Sequence, residues 1–112
     1  MDRIDHILKS ILEFRNAREW KQFHTPENLA KSISIEAAEL LEHFQWGDDY
    51  DQDELVDELA DVLIYSFLLA DGIGVDIEKV MLDKLEKNKK RFPVETVKGN
   101  SGKYTRVEFE EE

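Results

Sequence analysis

The sequence predicts an all-α fold, a bundle of four main helices, on three observations. Apolar residues recur at helical spacing in four long stretches. Thr25-Pro26 and the pair Asp51 and Glu54 have the chemistry of helix starts, while Gly72 and Pro93 have that of helix stops. Two acidic pairs, Glu36-Ala-Ala-Glu39 and Glu58-Leu-Ala-Asp61, stand at i, i+3 among apolar residues, a spacing that puts both carboxylates on one helical face.

The first helix is expected from Asp2 to Arg18, with Ile4, Ile7, Leu8, Ile11 and Leu12 as its packing stripe. A short connection carries Trp20, Phe23 and His24. Thr25 as N-cap and Pro26 at the first helical position then open a second helix running to about Gln45. At about 100° per residue its buried stripe is Leu29, Ile33, Ala37, Leu40 and Phe44. Glu36 falls inside this stripe and Glu39 at its edge, whereas Glu42 points away and reads as an ordinary solvated side chain.

After Trp46-Gly47 an acidic connection leads to a capping box, Asp51 with Glu54, and to a third helix closed by Gly72. Glu58, Asp61, Tyr65 and Leu69 share one side of it. Its stretch from Val62 to Ala70 is apolar nearly all round, which predicts a subunit interface through Ile64, Phe67 and Leu68. A fourth helix is expected after Gly74, capped by Asp76, packing through Ile77, Val80, Met81 and Leu85 and stopped at Phe92 by Pro93. Residues 1–93 therefore read as one domain, and residues 94–112 as a tail ordered near Lys103 and Tyr104. Gly99 to Lys103 is too short between its glycines to be a phosphate loop, and no helix follows it.

With 112 residues and a formal charge of -11, the chain is near the size where assembly helps considerably, so a homo-oligomer is expected. The acidic balance argues against binding a nucleic acid polymer through phosphate neutralisation. There is no cysteine for a disulfide or a thiolate site. The N-terminal residues lack the pattern of a signal peptide, and no apolar run reaches membrane length, so a cytoplasmic protein is expected. From Ser32 to Glu78 no Lys or Arg interrupts a run of Asp and Glu; the chain then turns basic at Lys84, Lys87, Lys89, Lys90 and Arg91. An acidic metal site with a basic flank suits a substrate that carries phosphates. The bland reading of that flank is a solvated helix end favoured by the macrodipole.

Two antiparallel helices bearing the acidic pairs would gather four carboxylates, which repel one another unless protonated or bridged by cations. The expected occupant is a hard divalent ion, Mg²⁺ or Mn²⁺. Such an ion neutralises phosphate oxygens and acidifies water, with Glu39 at the rim of the stripe, or Glu36, as the base. Trp20 and Trp46 flank the second helix; an aromatic stack on a base contributes about 1 to 3 kcal/mol, and ordinary core packing is the rival reading for an isolated Trp. His43, one turn after Glu39, raises a zinc or di-iron site, but neither acidic pair has the Glu-x-x-His spacing such a site uses.

With these residues placed, the chain resembles MazG-type all-α nucleotide pyrophosphohydrolases. The pattern E-x-x-E, spacer, E-x-x-D is carried by Glu36, Glu39, Glu58 and Asp61. Further stretches are similar to the small single-domain branch that includes dCTP pyrophosphatases. They are Arg18-Glu-Trp-Lys-Gln-Phe-His-Thr-Pro26, Glu39-Leu-Leu-Glu-His-Phe-Gln-Trp46, Glu58-Leu-Ala-Asp-Val-Leu-Ile-Tyr65, Lys84-Leu-Glu-Lys-Asn-Lys-Lys-Arg91 and Lys103-Tyr-Thr105. The resemblance implies a helical bundle assembled as a dimer or dimer-of-dimers tetramer. It also implies hydrolysis of a nucleoside triphosphate to the monophosphate and pyrophosphate, a house-cleaning activity in the nucleotide pool. It assigns Mg²⁺ to Glu36, Glu39, Glu58 and Asp61, the nucleoside to Trp20, Trp46 and Tyr65, and the polar end of the substrate to Lys84 and Asn88. Arg91, Lys103 and Tyr104 complete the candidate substrate-binding set. A His of the dCTP-specific relatives aligns with Ile11, so the resemblance leaves the base open. The competing class is a non-catalytic helical oligomer that binds a nucleotide or partner and keeps a structural divalent metal.

Overall fold

A computed structural model describes residues 2–99; Lys103 and Tyr104 lie outside the described residues. It contains α1 (Arg3–Ala17), a 3₁₀ turn (Lys21–Phe23), α2 (Pro26–Glu42), α3 (Gln52–Gly72), α4 (Ile77–Arg91) and α5 (Val94–Val97). No strand occurs among the described residues, so the fold is all-helical, with four long helices. The chain divides into two compact units, Met1–Asp76 and Ile77–Glu112. No described helix is long and apolar enough to cross a membrane.

Local chemistry sets the helix limits. Asp2, Thr25 and Asp51 each accept a hydrogen bond from the backbone N–H three residues on, at 2.8, 3.1 and 3.1 Å, which satisfies one of the donors a helix start leaves unpaired. The second helix ends at Glu42, earlier than its apolar pattern suggested, and residues 43–46 form turns instead. At the end of α3, Gly72 is still helical and the left-handed residue is Gly74, with φ +75°. Val75 N–H reaches Ala70 C=O at 3.0 Å and Gly74 N–H reaches Asp71 C=O at 3.1 Å, the paired bonds of a Schellman cap. The start of the expected tail forms the short helix α5.

In the first unit, α2 and α3 pack most extensively on each other, and α1 lies against α3. Leu29 near the start of α2 faces the end of α3: a Cβ at Gly72 would stand 3.9 Å from Leu29 Cδ1. Glu36 in mid-α2 meets Glu58 on the N-terminal half of α3. The two helices are therefore antiparallel. Ile11, Leu29 and Leu68 form the buried core, flanked by Leu12, Tyr65, Phe67 and Leu69.

Several side chains depart from the packing their spacing predicted. Leu68 is 5% exposed and belongs to the core of its own chain, with Phe67 packed beside it, because α1 and α2 cover that side of α3. On α2, Ala37 is exposed, and Phe44, beyond the helix end, is exposed and meets Tyr50 edge-on at 5.1 Å. On α4, Ile77 is half-buried while Val80, Met81 and Leu85 stand exposed.

Candidate metal centre and adjoining cavity

Antiparallel packing of α2 on α3 brings one ligand oxygen each of Glu36, Glu58 and Asp61 within 4.8 Å of one another. Glu39, one turn beyond Glu36, stands within hydrogen-bonding reach of both Glu36 and Glu58. Glu36, Glu39 and Glu58 are half-buried, Asp61 is exposed, and Glu42 points to solvent. Glu36 Oε2 is buried without a hydrogen-bond partner. None of the four carboxylates forms a salt bridge among the described residues.

Crowding raises the proton affinity of Glu36 and Glu58. The Glu36 carboxyl is pushed up to about 7, chiefly by its hydrogen bond with Glu39, then by burial, the Glu39 charge, a bond with Glu58 and the Asp61 charge. Glu58 is raised by burial first and then by Glu39, while Glu36 and His43 act the other way. His43 thus lies near the cluster. A set of carboxylate oxygens with no thiolate, one of them buried and unpaired, fits a hard divalent cation. Such an ion would relieve the repulsion that raises the proton affinity of Glu36 and Glu58.

Beside this cluster lies a cavity of about 410 Å³, within the range of small-molecule sites. Asp61 belongs to both the cluster and the cavity wall. Continuing along α3, Ile64, Tyr65 and Leu68 line one side, and α1 supplies Ser10, Ile11, Phe14 and Arg15. Trp20 and His24 complete the lining.

Trp20 is aimed by the end of α1. Glu19 adopts φ +53°, and Trp20 N–H closes back on Arg15 C=O at 3.1 Å while Glu19 N–H reaches Asn16 C=O at 3.0 Å. This is a second Schellman cap, here with a non-glycine residue in the left-handed position. It folds the indole onto Phe14, edge to face at 5.7 Å, and Arg18 places its guanidinium 3.8 Å from the Phe14 ring centre.

Arg15 is 5% exposed. Its Nη1 donates to Asp71 Oδ2 at 3.0 Å and its Nε to Asn16 Oδ1 at 3.0 Å. Beside it, His24 keeps a buried Nδ1 without a partner, and burial and then the Arg15 charge hold its imidazole below the usual range. Sequence patterns did not single out Arg15 or His24. Arg15 sits on the apolar side of α1, four residues after Ile11, and that misplaced charge was the available signal.

The remaining sequence candidates are more scattered. Trp46 follows α2 at 92% exposure and does not line the cavity. Lys84, Asn88 and Arg91 fall on one face of α4, in the second unit, with Lys84 exposed and Asn88 and Arg91 half-buried.

The sequence profile of the MazG-like family matches residues 31–107. The chain is 36% identical to rat (Rattus norvegicus) dCTP pyrophosphatase 1 over 91% of its own length and 66% of that protein. To the Homo sapiens protein of that name it is 35% identical, covering 93% of this chain and 67% of that protein. A crystal structure of a pyrophosphatase from Archaeoglobus fulgidus DSM 4304 superposes with a TM-score of 0.74 at 40% identity, covering 83% of this chain and 94% of that one.

Proposed function

The chain belongs to the MazG-like family, and we propose that it is a divalent-metal-dependent nucleoside triphosphate pyrophosphohydrolase, releasing the monophosphate and pyrophosphate. The observation that carries this reading is the convergence of Glu36, Glu39, Glu58 and Asp61 beside a cavity walled by Trp20 and Tyr65. The names of its relatives point to the same reaction on dCTP or a similar or modified (d)NTP.

Glu36, Glu39, Glu58 and Asp61 would hold Mg²⁺, with Mn²⁺ as a substitute. When bound, such an ion neutralises phosphate oxygens and makes water easier to deprotonate. Glu39 accepts the proton of the water that attacks phosphorus, with Glu36 one turn away as the alternative base. The base enters the cavity against Trp20 and Tyr65, away from water, while the phosphates stay at the Asp61 end. Lys84, Asn88 and Arg91 of α4, with Lys103, Tyr104 and Trp46, are the proposed further substrate contacts. No covalent nucleophile is needed, since the acceptor is water.

We also assign a homo-oligomer, dimer or tetramer, acting in the cytoplasm. On α3, Val56, Leu59 and Leu63 are 48, 47 and 50% exposed. By the helical repeat they cluster on the side roughly opposite Glu58, Asp61 and Tyr65. Ile35 and Leu41 of α2 are exposed as well, and such apolar surface favours a protein partner. Light scattering on the Leu59→Glu, Leu63→Glu double variant should show a smaller species than the parent chain.

The deciding experiment measures pyrophosphate and monophosphate from a panel of canonical and modified (d)NTPs, with and without Mg²⁺. Equimolar, Mg²⁺-dependent release of both products is expected. Release of orthophosphate instead, or no release from any member, would overturn the reading.

A further inference from the structure

The cavity has a polar end that the hydrolytic chemistry does not use. Asp61 marks the metal end; Asp71 lies ten residues further along α3, about 15 Å at 1.5 Å per residue. Asp71 holds Arg15 at that far end, across from Ile64, Tyr65 and Leu68 along the wall. A nucleotide with its phosphates at Asp61 therefore turns toward Arg15 the edge of its base that is most distant from the sugar.

That end offers donors. Arg15 is nine-tenths buried, lines the cavity, and spends Nη1 on Asp71 and Nε on Asn16, while Nη2 has no protein partner among the described residues. A guanidinium donates and cannot accept. Burial holds His24 neutral, with an unpaired Nδ1 beside the same cavity. Ile11 provides no polar group to offset the guanidinium.

We propose that Arg15 reads the distal edge of the base, and that the cavity selects nucleotides whose base carries a keto oxygen there, uracil, thymine or an oxopurine, over the amino-bearing cytosine and adenine, so that this chain departs in base choice from the relatives named for dCTP. The proposal rests on the cavity being the nucleoside end of the hydrolase site. A keto oxygen accepts from Nη2; an amino group would face it donor to donor and leave both unsatisfied away from water. Sites that depend on such a bond discriminate strongly against substrates lacking it. The expected preference is about tenfold to a hundredfold.

The test is equilibrium binding of dUMP and dCMP by ligand-observed NMR or calorimetry, alongside kcat/KM for dUTP, dTTP, dGTP, dCTP and dATP. The parent chain should bind dUMP about tenfold or more tighter than dCMP, with the same order in kcat/KM. Arg15→Gln should bring that ratio close to one. Arg15→Lys retains a charge for Asp71 but loses the planar fork, and should lower the ratio too. Asp71→Asn leaves the guanidinium in place and should keep the preference, which a merely structural role of the pair does not anticipate. The ratio compares two ligands on the same folded molecules, so a partly unfolded variant does not distort it. A parent ratio near one, a preference for dCMP, an unchanged ratio in folded Arg15→Gln and Arg15→Lys, or no binding of any monophosphate would overturn the proposal. Preferential dUMP binding without hydrolysis of any triphosphate would instead remove the hydrolase reading and leave the base preference standing.

Discussion

Helix α3 carries two carboxylate sites whose surroundings are opposite. At its C-terminal end Asp71 meets the guanidinium of Arg15 at 3.0 Å, and the pair is further secured by Asn16. Toward its N-terminal half Glu58 and Asp61 meet the carboxylates of α2, with His43 offsetting only part of the crowding at Glu58, so Glu36 and Glu58 bind protons more tightly than they would in water. A compensated charge ties α1 to α3 and holds the fold. An uncompensated cluster costs stability in the free protein and is retained where a cation or substrate can make up the difference.

The sharpest way to break this contrast is at the uncompensated end. Glu39→Gln is expected to lower hydrolysis by about 10²-fold or more, with far-UV circular dichroism unchanged. A variant that keeps its turnover would remove Glu39 from the role of base.

At the compensated end the effect should be on stability. Asp71→Ala leaves Arg15 buried without its partner, and urea unfolding should show a loss of about 3 kcal/mol. Equal stability to the parent would mean that the pair contributes little to holding α1 on α3.

A pH series without metal separates the two ends more finely. Glu36 holds its proton up to about pH 7 in the folded chain against a reference value of 4.5. Between those values the folded state binds more protons than the unfolded state, so the Glu36 contribution lowers stability as pH rises and levels off above about 7. Thermal melts of Glu36→Gln should lose this part of the slope, and Mg²⁺ should flatten it in the parent chain. A slope identical in both proteins would argue against Glu36 as its source.

Two surface changes should have the smallest effects. Glu42→Gln, on the same helix but facing solvent, should alter stability by no more than about 0.5 kcal/mol and leave metal affinity unchanged. Glu19→Gly, at φ +53°, should stabilise by about 0.5 to 1 kcal/mol, since glycine adopts that conformation without penalty. Chemical denaturation resolves both.

Much of this architecture was legible in the chain because it is local. Side chains of Thr25 and Asp51 mark helix starts through bonds that span three residues, and Glu36 and Glu58 were conspicuous as charges among apolar neighbours. The fate of the apolar residues was less legible. Leu68, Leu59 and Leu63 look alike along the sequence, yet Leu68 enters the core of its own chain and the other two remain outside. Helical spacing says that a face is apolar; only the placement of neighbouring helices says what covers it.

By itself, then, the sequence determined the all-helical class, the starts of α2 and α3 and the face on which the acidic pairs fall, since each depends on residues within one or two turns. Tertiary structure decided the rest. It set α2 antiparallel to α3 so that Glu36 meets Glu58, and turned α1 so that Arg15 reaches Asp71 across 56 residues of chain. It also set α1 against α3, so that Trp20, folded locally onto Phe14, walls a cavity shared with Asp61 and Tyr65. Contacts of that separation depend on how whole helices pack and on which buried charges find partners, and no local periodicity encodes them.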